Sequence, residues 1–356
     1  MSPARAVGAL VVNFNGGDKV VACIRALRAQ TIRLADLVVV DNGSSDGSLE
    51  RIREEDPAAR IIQLGENYGL PFARNVGLKA LATELALSVD ADLYLAPDCA
   101  ERLLGAMERH RAAIVCPRIL LSEGSLVQCD GAGLHFLGTL ALRHAYRPVT
   151  GLPARADFVG ASCGGCLLID RGLVLEAGGF DDRFFFYFED LELSFRLRSR
   201  GYRIFWEPAA IALHDWGTGT PGLAFRGRAR YPARRAYYTM RNRWLAILTH
   251  YRVRTLLVLA PVLVAYEGAT LSLAVTRGWI REWARVLAWL IRNRKSIRAR
   301  RRAAQRFRTV PDRELLEAGP IPLAPGLLRS PWSRALVAGF AVLMNGYWRI
   351  SRPAIG

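Results

Sequence analysis

From residue 7 onward, short runs of consecutive apolar residues alternate with longer stretches in which apolar side chains recur every three or four positions. Val7 to Val12 reads as a buried strand, and Asp18 to Ala29 as a helix with Val20, Ile24 and Leu27 on one face. Leu37 to Val40 is the next strand, followed by a glycine-serine turn and a short charged helix over Leu49 to Glu54. Arg60 to Leu64 is a third strand, Leu70 to Leu81 a helix, and Leu85 to Val89 a fourth strand. Strands of this length joined by helices require right-handed crossovers, so the pattern predicts an α/β domain with a mostly parallel central sheet. Ligands of such sheets bind beyond the carboxyl ends of the strands. The residues that follow each strand are therefore the first candidates for chemistry.

Those residues are Asn13 to Gly16, Asp41 to Gly47, Gly65 to Gly69, and Asp90-Ala91-Asp92. Each is ordinary turn material by itself, but four polar turns in succession fall on one sheet edge. Neither a P-loop nor a dinucleotide glycine fingerprint follows the first strand. Asp90 and Asp92, one residue apart at a strand end, offer another way to hold a diphosphate, through a divalent cation. Further on, Gly178-Gly179-Phe180-Asp181 leads into the aromatic run Phe184 to Phe188, and Glu189-Asp190 then opens a helix. A carboxylate behind five aromatics is expected in a partly desolvated pocket, which raises its pKa and suits it to general-base work. After Gly201, Tyr202 to Trp206 is a strand, and His214, in the run from Ile211 to Gly217, could complete a metal site with Asp92. Cys163-Gly-Gly-Cys166 lacks the second pair that a zinc site needs and reads as a glycine-rich turn. The scattered cysteines suit a reducing compartment.

Taken in order, Val11 to Gly16, Val40 to Ser48, Glu66 to Gly69, Ala73 to Gly77, Asp90 to Asp92, and Gly178 through Asp190 to His214 resemble the family 2 glycosyltransferases of the GT-A fold. The resemblance is strongest to their bacterial rhamnosyltransferase-like subgroup and covers roughly residues 5–250. It implies a Rossmann-like GT-A domain that transfers a sugar from a nucleotide-diphosphate donor with inversion. Residue by residue, it implies donor contacts from Asn13, Asn15, Asp41, Asn67, Arg74, Asn75 and Asp90. It gives Mn²⁺ or Mg²⁺ held by Asp92 and His214, with Asp90 beside them. Asp190 would be the base that deprotonates the acceptor hydroxyl, with Glu189 as its neighbour.

Composition changes the picture for the rest of the chain. Of the 356 residues, 1–220 hold 23 Lys and Arg against 27 Asp and Glu, whereas 221–356 hold 26 against 5, a net charge of +21. Beyond about residue 240 the pattern turns to long apolar and basic helices. Leu256 to Val275 approaches the ~20 apolar residues that cross a bilayer, with Pro261 and Glu267 interrupting it. Trp279, Trp283, Val286, Leu287, Leu290 and Ile291 share one face of the next helix, which runs into the basic segments Arg292 to Lys295 and Arg298 to Arg302. Tryptophans beside a basic face fit a helix lying on anionic lipid.

The expected organisation is a catalytic domain over 1–245, with a donor half to about 97 and an acceptor half from about 98, and a helical membrane-associating region over 246–356. The expected function is transfer of a sugar, rhamnose first, from a dTDP-, UDP- or GDP-sugar to a polyprenyl-diphosphate-linked glycan in cell-surface polysaccharide assembly. The expected place is the cytoplasmic face of the membrane, with peripheral rather than spanning attachment. An alternative is a soluble glycosyltransferase for protein or a small glycan. A non-catalytic nucleic-acid- or lipid-binding protein is the reading from another class. The arginines interleave with Leu, Val and Trp, and no nucleic-acid-binding motif occurs, so nucleic acid is not the expected partner.

Overall fold

A computed structural model describes residues 5–121, 123–215, 231–321 and 330–356. The first half follows the expected alternation: β1 (Val7–Asn13), α1 (Gly17–Arg28), β2 (Asp36–Asp41), α2 (Ser48–Glu55), β3 (Arg60–Gln63), α3 (Leu70–Ala80) and β4 (Leu85–Asp90). Next come β5 (Leu93–Leu95), α4 (Cys99–His110), β6 (Ile114–Leu121), β7 (Val127–Cys129), β8 (Ala132–His135), β9 (Thr139–Leu142), β10 (Asp157–Val159) and β11 (Cys166–Asp170). After α5 (Arg171–Glu176) and α6 (Glu189–Ser199), the strand β12 spans Ile204–His214. It unites two segments that the sequence pattern separates, with an irregularity between Glu207 and Ile211 where Pro208 falls. Trp216 and Gly217 of the motif that follows lie outside the described residues.

The main sheet runs β10-β12-β6-β11-β4-β1-β2-β3, with β5 on β12 and β7 on β6. The four N-terminal strands are parallel and in register, so Asn13 sits opposite Asp41, Asp41 opposite Gln63, and Val12 opposite Asp90. Their carboxyl ends therefore form one edge, as the alternation predicts. β11 enters antiparallel between β4 and β6, which makes the second half of the sheet mixed. Alternate residues feed two cores. Ala9, Val11, Val39, Leu87 and Val89 pack with Val20, Ile24 and Leu27 of α1 and with α4. Leu10, Val38, Val40 and Ala86 pack with α3, α5 and α6 through Ala73, Leu78, Val174, Leu193 and Leu197.

Contacts divide the chain into two compact units. One comprises 1–132, 142–197 and 202–220 and holds the large sheet; the other comprises 133–141, 198–201 and 221–356. The second is built on α7 (Ala233–His250), α8 (Val253–Arg277), α9 (Ile280–Arg292), α10 (Arg294–Arg306), α11 (Asp312–Leu315) and α12 (Pro331–Ser351), with a small sheet β13-β8-β9 in which β13 is Leu316–Glu317. α8 continues through Pro261 for 25 residues, and only 17% of its most apolar stretch is buried. Glu267, the one acidic group on that helix, accepts hydrogen bonds from Arg243 (3.1 Å), Trp244 Nε1 (2.8 Å) and Trp283 Nε1 (2.7 Å). The tryptophan side of the expected α9 face is therefore turned inward: Trp279 and Val286 are buried beside Ala236, Met240 and Ala274. Leu287 and Ile291 of that same face stay exposed, as does Ile280, along with Leu257 and Val264 on α8 and Trp332, Leu336, Leu343 and Ile350 on α12.

The basic helix α10 is also divided in use. Arg301 donates to the Leu248 carbonyl, Gln305 to that of His250, and Arg308, just beyond the helix, also to His250. These side chains satisfy the carbonyls left open at the end of α7.

The approach of α3 to β1 is set by Gly77, where an added Cβ would lie 2.0 Å from Leu10 Cδ1 and 2.9 Å from Leu10 Cδ2. Gly77→Ala should lower stability by about 1–3 kcal/mol through overpacking, measurable by chemical denaturation. A midpoint equal to wild type would show that the helix does not depend on this close approach.

Candidate active site

At the carboxyl edge of β1 and β2, the fully buried Asn13 side chain donates from Nδ2 to Asp41 Oδ1 (2.9 Å) and to the hydroxyls of Ser44 (3.0 Å) and Ser48 (2.8 Å). Asp41 Oδ2 accepts from the Gly43 and Ser44 amides, and Asn15 Oδ1 accepts from the Ser45 amide at 2.8 Å. Asn15 itself takes a left-handed φ of 53°, a conformation its short side chain tolerates. The two turns are thus locked into one wall. Asn67 closes the wall by accepting from Asn42 Nδ2 (3.1 Å) and from the Gly69 amide (2.9 Å).

Arg74 is the centre of the next layer. It is 1% exposed and projects from α3 to meet Asp90 Oδ1 at 2.7 Å, the Gly164 carbonyl at 2.6 Å and Glu189 Oε1 at 3.3 Å, with the Phe180 ring 5.3 Å away. Asn75, one residue on, donates to the Phe180 carbonyl and to Asp182 Oδ1, and accepts from the Phe180 amide. These two residues, which the resemblance gives as donor contacts, make the bonds described here within the protein and hold the segment leading to α6. Gly69 helps: its φ is 92°, the Leu70 amide donates to the Phe185 carbonyl, and an added Cβ would sit 2.6 Å from that oxygen. Phe185, Tyr187 and Phe188 all have positive φ between 57° and 69°. Three strained residues directly before α6 set the direction in which that helix starts.

The helix opens on Glu189 and Asp190. Asp190 Oδ2 accepts from the Gly164 amide (3.0 Å) and Oδ1 from the Leu191 amide (2.8 Å), and the residue is partly buried. Burial raises its pKa, against the opposing effect of those two amides and of Arg74. Glu189 is buried; burial first, and the Asp190 charge second, push it up to about 7. Its Oε2 has no hydrogen-bond partner among the described residues. A carboxyl in that setting is partly protonated near neutral pH, and Asp190, oriented by the two amides, is the candidate to accept a proton.

Two residues beyond Asp90, Asp92 Oδ1 lies 3.1 Å from His214 Nε2. The strand pairing explains the meeting, because Leu93 of β5 is opposite His214 of β12. Asp215 follows, taking the Lys19 ammonium at 3.1 Å and the Tyr94 hydroxyl at 3.3 Å. Asp90 faces Arg74, and among the described residues no group of three or more His, Cys, Asp or Glu side chains converges as a metal cage. Two candidate ligands sit together, Asp92 and His214. Neighbouring ligands of an octahedral ion bonded at about 2.1 Å lie roughly 3 Å apart, so this pair fits a cation that takes its other ligands from substrate and water.

Sequence reasoning missed Gly164 and Gln128. Gly164 belongs to the Cys163–Cys166 turn, whose two cysteines are free thiols; its backbone binds both Arg74 and Asp190. Two consecutive glycines before a strand were the available signal. Gln128 meets His214 from a strand that carries no motif.

Residues 9–174 match the family model for glycosyl transferase family 2. The chain is similar to the N-acetylglucosaminyl-diphospho-decaprenol L-rhamnosyltransferase of Mycobacterium tuberculosis, at 28% identity over 229 residues, 58% of this chain and 74% of the relative. It is also similar to the pre-mycofactocin glycosyltransferase of the same organism, at 27% identity over 336 residues, 92% of this chain and 64% of the relative. Among solved structures, GalNAc-T7 crystallised with UDP, GalNAc and Mn²⁺ matches with a TM-score of 0.55 at 18% identity. That match covers 70% of this chain and about half, 48%, of the other. The fold is of the GT-A type.

Glu189 provides a test of the site's electrostatics. A carboxyl raised from an ordinary 4.5 to about 7 on folding contributes stability that is full below the lower value and lost as pH rises through the upper one. Glu189→Gln removes that loss. The melting temperature of Glu189→Gln relative to wild type should therefore climb between about pH 5 and pH 8. A difference that stays flat across that window would place the titration elsewhere.

Proposed function

We propose that this chain, which carries a glycosyl transferase family 2 domain over residues 9–174, moves a sugar from a nucleotide-diphosphate donor to a lipid-linked glycan, with inversion at the anomeric carbon. The observation that carries the reading is the arrangement around Arg74, which ties the Asp90–Asp92 strand end to the Glu189–Asp190 helix start. A donor-side carboxylate pair and a candidate base are thereby held as parts of one rigid site.

In this reading the wall around Asp41 and Asn15 receives the base and ribose. Asp92 and His214 hold the divalent cation, and when bound this ion supplies Lewis acidity to the departing diphosphate. Asp190 accepts the proton of the acceptor hydroxyl as the oxygen attacks the anomeric carbon from the face opposite the leaving group. The amides of Gly164 and Leu191 fix the carboxylate's direction, and the raised pKa of Glu189 limits the second negative charge there. Retained orientation of the base costs nothing at the moment of reaction, which is where such preorganisation contributes most.

The lipid-linked acceptor is supported by the name of the rhamnosyltransferase relative, which acts on a diphospho-decaprenol substrate, and by the exposed apolar residues of α8, α9 and α12 next in sequence to the basic α10. Rhamnose as the sugar rests on the same relative. The helical unit would attach peripherally at the cytoplasmic face, its exposed arginines against anionic headgroups.

Asp190→Asn and Asp92→Ala should each abolish transfer in a donor-consumption assay while leaving the circular dichroism spectrum unchanged. Near wild-type turnover in either would remove that residue from the mechanism. The full chain should float with vesicles containing phosphatidylglycerol and remain at the bottom of the gradient with phosphatidylcholine alone. Equal flotation with both, or with neither, would reject the electrostatic attachment.

A further inference from the structure

Gln128 is the extra residue of a β-bulge. In the antiparallel pairing of β7 with β6, Cys129 is opposite Ile119 and Val127 opposite Leu120, so no residue of β6 faces Gln128. A bulge inserted beside a site turns one side chain out of the strand's alternation. Here the turned side chain brings its amide oxygen to 2.5 Å from His214 Nδ1, on the opposite side of the ring from the Nε2 that faces Asp92 at 3.1 Å. Leu121 of β6 and Leu93 of β5 flank His214 in the two ladders. The imidazole is thus boxed by backbone pairing on two sides and by polar groups at both nitrogens.

An imidazole binds a cation through a nitrogen lone pair, and the other nitrogen then carries the proton. If Nε2 is to share an ion with Asp92, Nδ1 must be the protonated nitrogen and needs an acceptor. We propose that Gln128 is that acceptor: a positioning residue that fixes the His214 tautomer and ring angle for divalent-cation binding. The inference rests on the assignment of Asp92 and His214 to the cation made above. A neutral amide suits the place, because it raises the basicity of the ring without adding a second full charge beside Asp92.

The test is Mn²⁺ affinity of the full chain in the presence of UDP, read by electron paramagnetic resonance of the free ion, in wild type and in Gln128→Leu, Gln128→Glu, His214→Asn and the Gln128→Leu/His214→Asn double variant. Gln128→Leu keeps the volume and loses the acceptor, and should weaken Mn²⁺ binding roughly 10- to 100-fold. Gln128→Glu retains an acceptor and should stay within about threefold of wild type. In the His214→Asn background, Gln128→Leu should add no further loss, since its effect passes through the ring. If His214→Asn weakens binding while Gln128→Leu does not, or if the glutamate variant falls as far as the leucine one, Gln128 has no such role. If His214→Asn itself binds Mn²⁺ like wild type, the cation assignment fails and this inference fails with it.

Discussion

The buried guanidinium of Arg74 is the constraint on which the site depends. Removing a full charge from water costs several kcal/mol, and that cost is offset only where geometry supplies several good partners. Arg74 has them: Asp90 from β4, the Gly164 carbonyl from the turn before β11, Glu189 from α6, and the Phe180 face. Each comes from a different segment, so satisfying one side chain fixes the relative positions of four pieces of chain. The same charge permits three carboxyl groups, the partly buried Asp90 and Asp190 and the buried Glu189, to lie close together.

Around that centre, packing and backbone geometry complete what electrostatics begins. Asn75 and Gly69 hold the segment from Phe180 to Phe185 against α3, and the strained φ values of Phe185, Tyr187 and Phe188 are tolerated because those anchors leave the chain no other route. Asp190 accordingly leaves the first turn of α6 with both oxygens already engaged by amides. The carboxyl edge of β1, β2 and β4 presents the other wall in parallel register. Candidate base and candidate donor contacts are therefore positioned by different devices, one strained and local, the other a regular sheet edge.

Much of this was legible in the sequence, for definable reasons. Strand-helix alternation over 7–90 places Asn13, Asp41, Asp90 and Asp92 on one edge because parallel strands share a direction, and no side-chain detail is needed for that step. Glu189 and Asp190 were readable from the aromatic run before them. Gly164 was not, because it acts through its backbone. Gln128 was hidden because a bulge breaks the period of two by a single residue and leaves no trace in composition. The inward turn of the α9 tryptophans is hidden for a similar reason: Trp283 reaches Glu267, a partner one helix away that periodicity within α9 cannot reveal.

The capping of α7 by Arg301, Gln305 and Arg308 divides the C-terminal arginines into two populations. A helix end carries about half a negative charge, and the cations set against it are neutralised locally, with little field left over. Arg298, Arg300, Arg302 and Arg306 remain exposed on α10. The +21 of residues 221–356 is thus larger than the charge an outside surface would feel. Ionic strength will also act on the two populations unequally. The exposed set is screened over about 8 Å at physiological salt, whereas the capping set, shielded from counterions and bound to carbonyls, keeps α10 docked on the end of α7 at salt concentrations that would silence the rest.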